Sequence, residues 1–308
     1  MTPKRILITG NGQLGTYYRD HYLNNKAEVM NTDSKIDVRD EKAMRKVVEE
    51  FNPDLVIHTA AKTNIDWAEQ NKTECFEINT LGSDIIGKIC QEKGIYLVFL
   101  SSGCVLESKS AEDAQTENVV PSPLCFYSWT KVWAEEMLMH RARRNGLKLL
   151  VLRPRQLLSA KVDPRNALTK MLTYNKFINT PNSCTVVEDL MMVTDTLVQK
   201  EESGVFNVAN PGVTTPLEIA TALKEIVKPE MEFVTISKEE LNKMTLAERV
   251  DAVLDGTKIR NLGIELKEIH ERMREVMHEL KANMAKAGAD TVMQKTEEET
   301  KTKLSLVK

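Results

Sequence analysis

The chain lacks the features that would place it in several large classes of protein. No apolar stretch approaches the ~20 residues that a membrane-spanning helix needs, and the N-terminus does not read as a signal peptide. Neither sign of charge dominates. The 42 Lys and Arg face 45 Asp and Glu, for a net charge of −3, and the two signs are mixed along the chain. That balance argues against nucleic acid as the main partner, and nothing points to a membrane surface. The five cysteines, Cys75, Cys90, Cys104, Cys125 and Cys184, are odd in number and scattered. They form no CxxC pair and no metal-ligand spacing. A disulfide framework and a structural zinc are therefore not expected, and a reducing, cytoplasmic setting is. No internal repeat is visible.

What is present begins near the N-terminus. The apolar residues Ile6, Leu7 and Ile8 run through Thr9 into Gly10, Asn11, Gly12, Gln13, Leu14 and Gly15. Strand, glycine loop and helix in that order suit a dinucleotide pyrophosphate. One glycine permits a tight turn, one lets the backbone approach the phosphates, and one lets helix and strand pack closely. The helix start adds N–H groups and a positive dipole end. Gly10, Gly12, Gln13, Leu14 and Gly15 are the expected cofactor loop. Asp33 stands where the second strand should end. A carboxylate there accepts hydrogen bonds from ribose hydroxyls and repels a 2′-phosphate. Lys35 is close enough to hold a 2′-phosphate instead, so NADH and NADPH both remain open.

The first half alternates short apolar runs with helical stretches, which predicts a doubly wound parallel α/β sheet. Further strands are expected at residues 27–32, 54–59, 96–100 and 148–152, and helices at 41–51, 79–92 and 129–143. Alternation stops after about Arg153. One more strand, 204–210, is expected to return to the same sheet, and 215–227 and 265–285 read as helices. The expected division is a dinucleotide-binding domain over 1–156, a smaller substrate-binding region over 157–285, and a charged, disordered tail over 286–308.

Tyr127 and Lys131 lie four apart, on one face of a helix. A lysine ammonium beside a phenol should lower the tyrosine pKa from about 10 toward working pH, so that it exchanges a proton with a carbonyl or alcohol oxygen. Ser101 and Ser102 end a predicted buried strand, where active sites form in such sheets. Ser102 can hydrogen-bond the same substrate oxygen.

Together these segments resemble the extended short-chain dehydrogenase/reductases, and within them the dTDP-4-dehydrorhamnose reductase group. The resemblance rests on the glycine loop, Asp37 and Val38, the run from His58 to Glu69, Asn79, Ser101 with Ser102, and Tyr127 to Lys131. It implies a Rossmann-type fold, with Asp37 and Val38 flanking the adenine and Ala60 and Ala61 lining the cofactor groove. It also implies that Asn79 supports the catalytic helix, and that Ser102, Tyr127 and Lys131 form the reductase triad. One departure is that Asn11 alone separates the first two glycines, where the group usually has two residues, so a tighter turn is expected.

A narrower resemblance lies in the segments around Cys104, Asp163 to Lys170, Ile178 to Thr185, and Phe206 to Gly212. They are similar to the bifunctional nucleotide-4-keto-6-deoxyglucose 3,5-epimerase/4-reductases. That resemblance implies that Cys104 and Lys170 are the acid/base pair of the epimerisation. Arg155, Arg165, Asn166 and Arg249 are the substrate-binding candidates. His58, inside an apolar strand, reads as a satisfied core histidine, and Met137, Met139, Met171, Met191 and Met192 as core filling. The expected function is NAD(P)H-dependent conversion of a UDP- or dTDP-linked 4-keto-6-deoxyglucose to a nucleotide-linked L-rhamnose. A simple 4-keto reductase, or a non-catalytic subunit like that of methionine adenosyltransferase, stays open at this stage, as does a homodimer.

Overall fold

The computed structural model describes residues 4–33 and 35–287. The tail expected over 286–308 therefore lies almost wholly outside the described residues. Lys286 and Ala287, the exceptions, close the last turn of the helix Ile269–Ala287. Among the described residues no helix is long and apolar enough to cross a membrane, and no cluster of His, Cys, Asp and Glu could hold a metal ion.

The chain divides into two compact units. One comprises the residues up to 106 with 117–153 and 191–207, and the other comprises 107–116, 154–190 and 208 onward. The two units are interleaved along the chain, and hydrogen bonds explain why. The segment 107–116 joins the second unit because the Ser108 N–H donates to the Asp251 carbonyl and the Gln115 N–H to that of Val253, both at 2.8 Å. Residues 191–207 join the first because Tyr18 bonds Thr194 at 2.8 Å and His21 bonds Asp195 at 2.6 Å.

The first unit is built on a six-stranded sheet. Its strands are β1 (Arg5–Thr9), β2 (Glu28–Asn31), β3 (Leu55–His58), β4 (Tyr96–Leu100), β5 (Leu149–Pro154) and β6 (Gly204–Val208), in the order β2-β1-β3-β4-β5-β6. The pairs among β1 to β5 are parallel. Ile6, Leu7, Ile8, Val56, Ile57, Leu97, Val98, Leu150 and Val151 are fully buried. Continuous apolar runs of this kind suit strands covered on both faces. The crossover helices include Gln13–Asn24, Glu41–Phe51, Gly82–Lys93 and Phe126–Asn145. Chain order reverses between β1 and β3, and the crevice beyond their carboxyl ends is where such sheets bind ligands.

Two helices differ from expectation in ways that matter. The one expected from residue 79 begins earlier, at Lys72, and passes through a π-helical turn Glu77–Leu81 between Lys72–Phe76 and Gly82–Lys93. The one expected from 129 begins at Phe126, which places Tyr127 in its first turn. Its N-terminus is capped from another helix. Glu69 of Ile65–Gln70 accepts the Phe126 N–H at 2.7 Å.

The second unit has only two-residue strands, Leu157–Leu158 with Thr185–Val186 and Lys176–Phe177 with Val234–Thr235. Helices supply its core. Ile219, Leu223, Met273, Val276 and Leu280, on Pro216–Ile226 and Ile269–Ala287, pack with Leu158 and Leu168. A capping box between Thr215 and Glu218, followed by Pro216, sets the start of the first of these helices.

Candidate active site

The site in the first unit begins with the glycine loop. Gly10 has φ +88°, and a Cβ there would lie 2.7 Å from the Ala60 Cα. Only glycine fits, and the turn presses directly on one of the two predicted groove alanines. A Cβ on Gly15 would run into the Gly10 carbonyl oxygen and Thr59 Oγ1, which is the close helix–strand packing the sequence called for. Gly12 is different. A Cβ there meets nothing within 4 Å, and no described side chain caps the helix Gln13–Asn24 that Gly12 opens. The helix start thus faces open space, as a pyrophosphate requires. Gln13 Nε2 is buried without a hydrogen-bond partner among the described residues, a donor suited to a bound dinucleotide. On these observations the loop fits the group.

Two residues that the sequence reading passed over hold this loop in place. Thr32 Oγ1 accepts the Gly10 N–H at 3.0 Å, and Asn31 Nδ2 donates to the Gly10 carbonyl at 2.9 Å. Asp33 follows them and is exposed. Its carboxylate accepts the Lys35 N–H at 2.8 Å. Asp37 is held by Arg39, whose guanidinium bonds both of its carboxylate oxygens and keeps its pKa below the usual carboxylate range. Val38 is buried in the notch left by Gly82, where a Cβ would lie 2.7 Å from its Cγ2.

Asn79, brought inward by the π turn, acts as a strut. Its Oδ1 accepts the Lys62 N–H at 2.7 Å, and its Nδ2 reaches the Lys62 carbonyl and Thr130 Oγ1, each at 3.0 Å. The loop that carries Ala60 and Ala61 is thereby tied to the helix that carries Tyr127. π-Helical turns inside α-helices are frequent at functional sites. His58 lies beneath, fully buried between Thr9 Oγ1 and Ser83 Oγ. Burial, with the nearby Lys131 charge, pushes its pKa down to about 3, which leaves it a neutral core residue.

At the end of β4, Ser102 starts the short turn Gly103–Val105, and its Oγ accepts the Cys104 N–H at 3.1 Å. The Ser102 hydroxyl also hydrogen-bonds the Tyr127 phenol, and the Cys104 thiol is close enough to act on that phenol electrostatically. Ser102, Cys104 and Tyr127 therefore come together, and Lys131 follows Tyr127 by one turn of the same helix. The electrostatics differ from expectation. Lys131 Nζ donates to the Leu100 carbonyl at 2.8 Å and lies 4.8 Å from the centre of the Phe99 ring. Burial, first, and the Cys104 thiol then hold Tyr127 well above the ordinary phenol range. The spacing alone leads one to expect Lys131 to draw Tyr127 toward phenolate, whereas burial is the first cause of an upward shift in the Tyr127 pKa.

In the second unit Lys170 sits on the helix Ala167–Met171, and its Nζ donates to the Arg165 carbonyl at 3.0 Å. Two substrate-binding candidates have structural duties instead. Asn166 is fully buried. Its Nδ2 donates to the Ser159 and Lys161 carbonyls, and its Oδ1 caps the helix at Leu168. It shapes the loop and leaves no amide hydrogen for a ligand. Arg155 binds Asn182 Oδ1 through Nε and Nη2, and Nη2 also reaches the Val250 carbonyl. Arg165 pairs with Asp163, and Arg249 lies near Tyr174. Met171 and Met191 are buried, but Met192 is 43% exposed and is not core filling. Cys75, Cys90, Cys125 and Cys184 are buried, Cys104 only partly so, and no disulfide joins them.

A glycine loop at the switch point of a parallel sheet, on the same unit as the paired Ser102 and Tyr127, marks a Rossmann-type reductase of the short-chain dehydrogenase/reductase kind. The chain belongs to the RmlD substrate binding domain family, which it matches over residues 4–282. It is 30% identical over 239 residues to the bifunctional dTDP-4-dehydrorhamnose 3,5-epimerase/dTDP-4-dehydrorhamnose reductase of Arabidopsis thaliana, covering 73% of this chain and 77% of that protein. Its match to a longer trifunctional UDP-rhamnose enzyme of the same plant spans only 36% of that enzyme. The crystal structure of the L780 UDP-rhamnose synthase of Acanthamoeba polyphaga mimivirus aligns with a TM-score of 0.80 at 27% identity, over 89% of this chain and 99% of that one. A Bacillus anthracis dTDP-4-dehydrorhamnose reductase in complex with NADP shares the fold, with a TM-score of 0.78 at 22% identity over 89% and 98%.

Proposed function

We propose that this protein is an NADPH- or NADH-dependent 3,5-epimerase/4-reductase that converts a UDP- or dTDP-linked 4-keto-6-deoxyglucose to the nucleotide-linked L-rhamnose. The observation that carries the reading is the thiol of Cys104 set beside Tyr127 and Ser102 at the end of β4. The Arabidopsis relative is named for both reactions, and the mimivirus relative for UDP-rhamnose synthesis.

Gly10, Gly12, Gln13, Leu14 and Gly15 would hold the cofactor pyrophosphate, Asp33 the ribose, and Asp37, Val38, Ala60 and Ala61 the adenosine end. The reduced nicotinamide supplies a hydride for C4. The chain's own groups handle the protons. A C4 ketone acidifies the hydrogens on C3 and C5, and inverting either carbon needs removal on one face and delivery on the other. Cys104 and Lys170 are the assigned carriers. Ser102 and Tyr127 hydrogen-bond O4 and offset its charge as the enolate forms. A phenol held neutral by burial is the right acid for the second half. Tyr127 gives its proton to O4 as C4 is reduced, and the Lys131 ammonium offsets the phenolate left behind.

The test is NMR of UDP- and dTDP-4-keto-6-deoxyglucose in D₂O, with and without each reduced cofactor. Wild-type protein should exchange the C3 and C5 hydrogens and then yield a 6-deoxy-L-sugar. Cys104→Ala or Lys170→Met should stop exchange while C4 reduction persists. Reduction at C4 without exchange in wild type would leave a simple reductase. Cofactor binding without any turnover would leave a non-catalytic subunit.

A further inference from the structure

Behind the triad lies a buried charge cluster that the proposed reaction does not use directly. Glu135 and Arg153 are 3% and 4% exposed. Arg153 Nε donates to Glu135 Oε1 at 2.9 Å, and Nη2 donates to Oε2. The Ser101 hydroxyl donates to the same Glu135 Oε1. One pair thus joins the end of β4, the catalytic helix and β5. Glu135 is one helical turn beyond Lys131, on the same face.

We propose that Glu135, clamped by Arg153 and Ser101, is a positioning residue that keeps Lys131 charged inside the sheet. The inference rests on the reductase reading for its kinetic arm only. Lys131 is 3% exposed, and an ammonium removed from water sheds its proton unless an anion is near. The charged or titratable groups that act with it are few. On its own helix is Glu135. On the helix Lys72–Phe76 is Cys75, a thiol that burial keeps protonated. On β3 is His58, which is neutral. Among the described residues Glu135 is therefore the one anion that supports Lys131, and its partner Arg153 acts in the opposite sense. Burial lowers the Lys131 pKa to about 8, with Glu135 opposing the fall. At neutral pH the side chain is charged, with little margin. Arg153 holds the carboxylate in place, and its Nη1 is buried without a partner among the described residues. The cluster thus keeps an excess of positive charge near the phenol that becomes phenolate.

Glu135→Gln keeps the size of the side chain and an acceptor for Ser101, and removes the charge. Two readouts separate the proposal from the functional reading. The first needs no substrate. The ¹³Cε resonance of Lys131, assigned by its loss in Lys131→Met, should titrate near pH 8 in the wild type and at least one unit lower in Glu135→Gln. The second is the pH dependence of kcat with the 4-keto sugar. Its alkaline limb should move down by the same amount while KM stays within about twofold. A folded Glu135→Gln in which the Lys131 resonance titrates as in wild type overturns the proposal. If Glu135→Gln does not fold, Glu135→Asp keeps the charge and Arg153 but draws the carboxylate back by one methylene, away from Lys131. A smaller downward shift should appear there, and its absence is equally fatal. A wild type that shows the Lys131 titration but turns over no sugar overturns the reductase reading alone.

Discussion

In the proposed reaction Tyr127 is an acid whose proton stays on until the substrate takes it. Burial and the adjacent Cys104 keep the phenol neutral, so its own ionisation cannot set the alkaline limit of activity. Lys131, lowered to about 8, should do so. It is protonated below that pH and active, and activity falls as pH rises through 8. Tyr127→Phe removes only the hydroxyl and leaves the ring packed. C4 reduction should drop on the order of 10²-fold or more, with NADPH affinity little changed, as read by single-turnover absorbance and fluorescence titration. The placement of Ser102 after a strand and of Tyr127 and Lys131 on one helix face was legible in the sequence. Their electrostatics were not. Whether a lysine or desolvation governs a phenol depends on burial, which spacing does not report.

At the scale of elements, the π turn Glu77–Leu81 is the feature that sequence periodicity could not show, because a helix with one wider turn still reads as a helix. Its effect is local and specific. It brings Asn79 between the Lys62 backbone and Thr130. Asn79→Ala would remove two bonds from the part-buried Lys62 backbone, which water can replace, and one from the buried Thr130 hydroxyl. The expected cost is about 0.5–1.5 kcal/mol per bond, read as a lower denaturation midpoint, and cofactor affinity should weaken because the Ala60–Ala61 loop loses its anchor. A variant of full stability and full affinity would show that the strut is dispensable. The early start of the catalytic helix was hidden for a related reason. Its cap, Glu69, comes from 57 residues away, and no local signal marks it. The same holds for Glu135 with Arg153, which meet only through the sheet.

At the scale of the molecule, the doubly wound sheet was readable because its strands are continuous apolar runs separated by amphipathic helices. Of the second unit the two long helices were readable, at 215–227 and 265–285, but not its two-residue strands, which carry no alternation. Apart from the return of 204–210, the interleaving of the units has no local signal, because it rests on pairings such as Tyr18 with Thr194 and Ser108 with Asp251. This division makes cofactor binding a probe of where stability resides. A ligand that binds only the folded state adds about 2.7 kcal/mol at a hundred times its Kd. With NADPH the gain in hydrogen-exchange protection should therefore concentrate in the first unit, at the loop after β1, at residues 31–39 and at 60–62. The helix Ile269–Ala287 should change little. Gly12→Val is a clean control. Its backbone has φ −73° and a Cβ there meets nothing within 4 Å, so the variant should fold as the wild type does. Its side chain occupies the space left for the pyrophosphate, and the protection gained on adding NADPH should disappear. If a folded Gly12→Val keeps that gain, the dinucleotide does not lie on this loop, and the assignment of Gln13 and Asp33 falls with it.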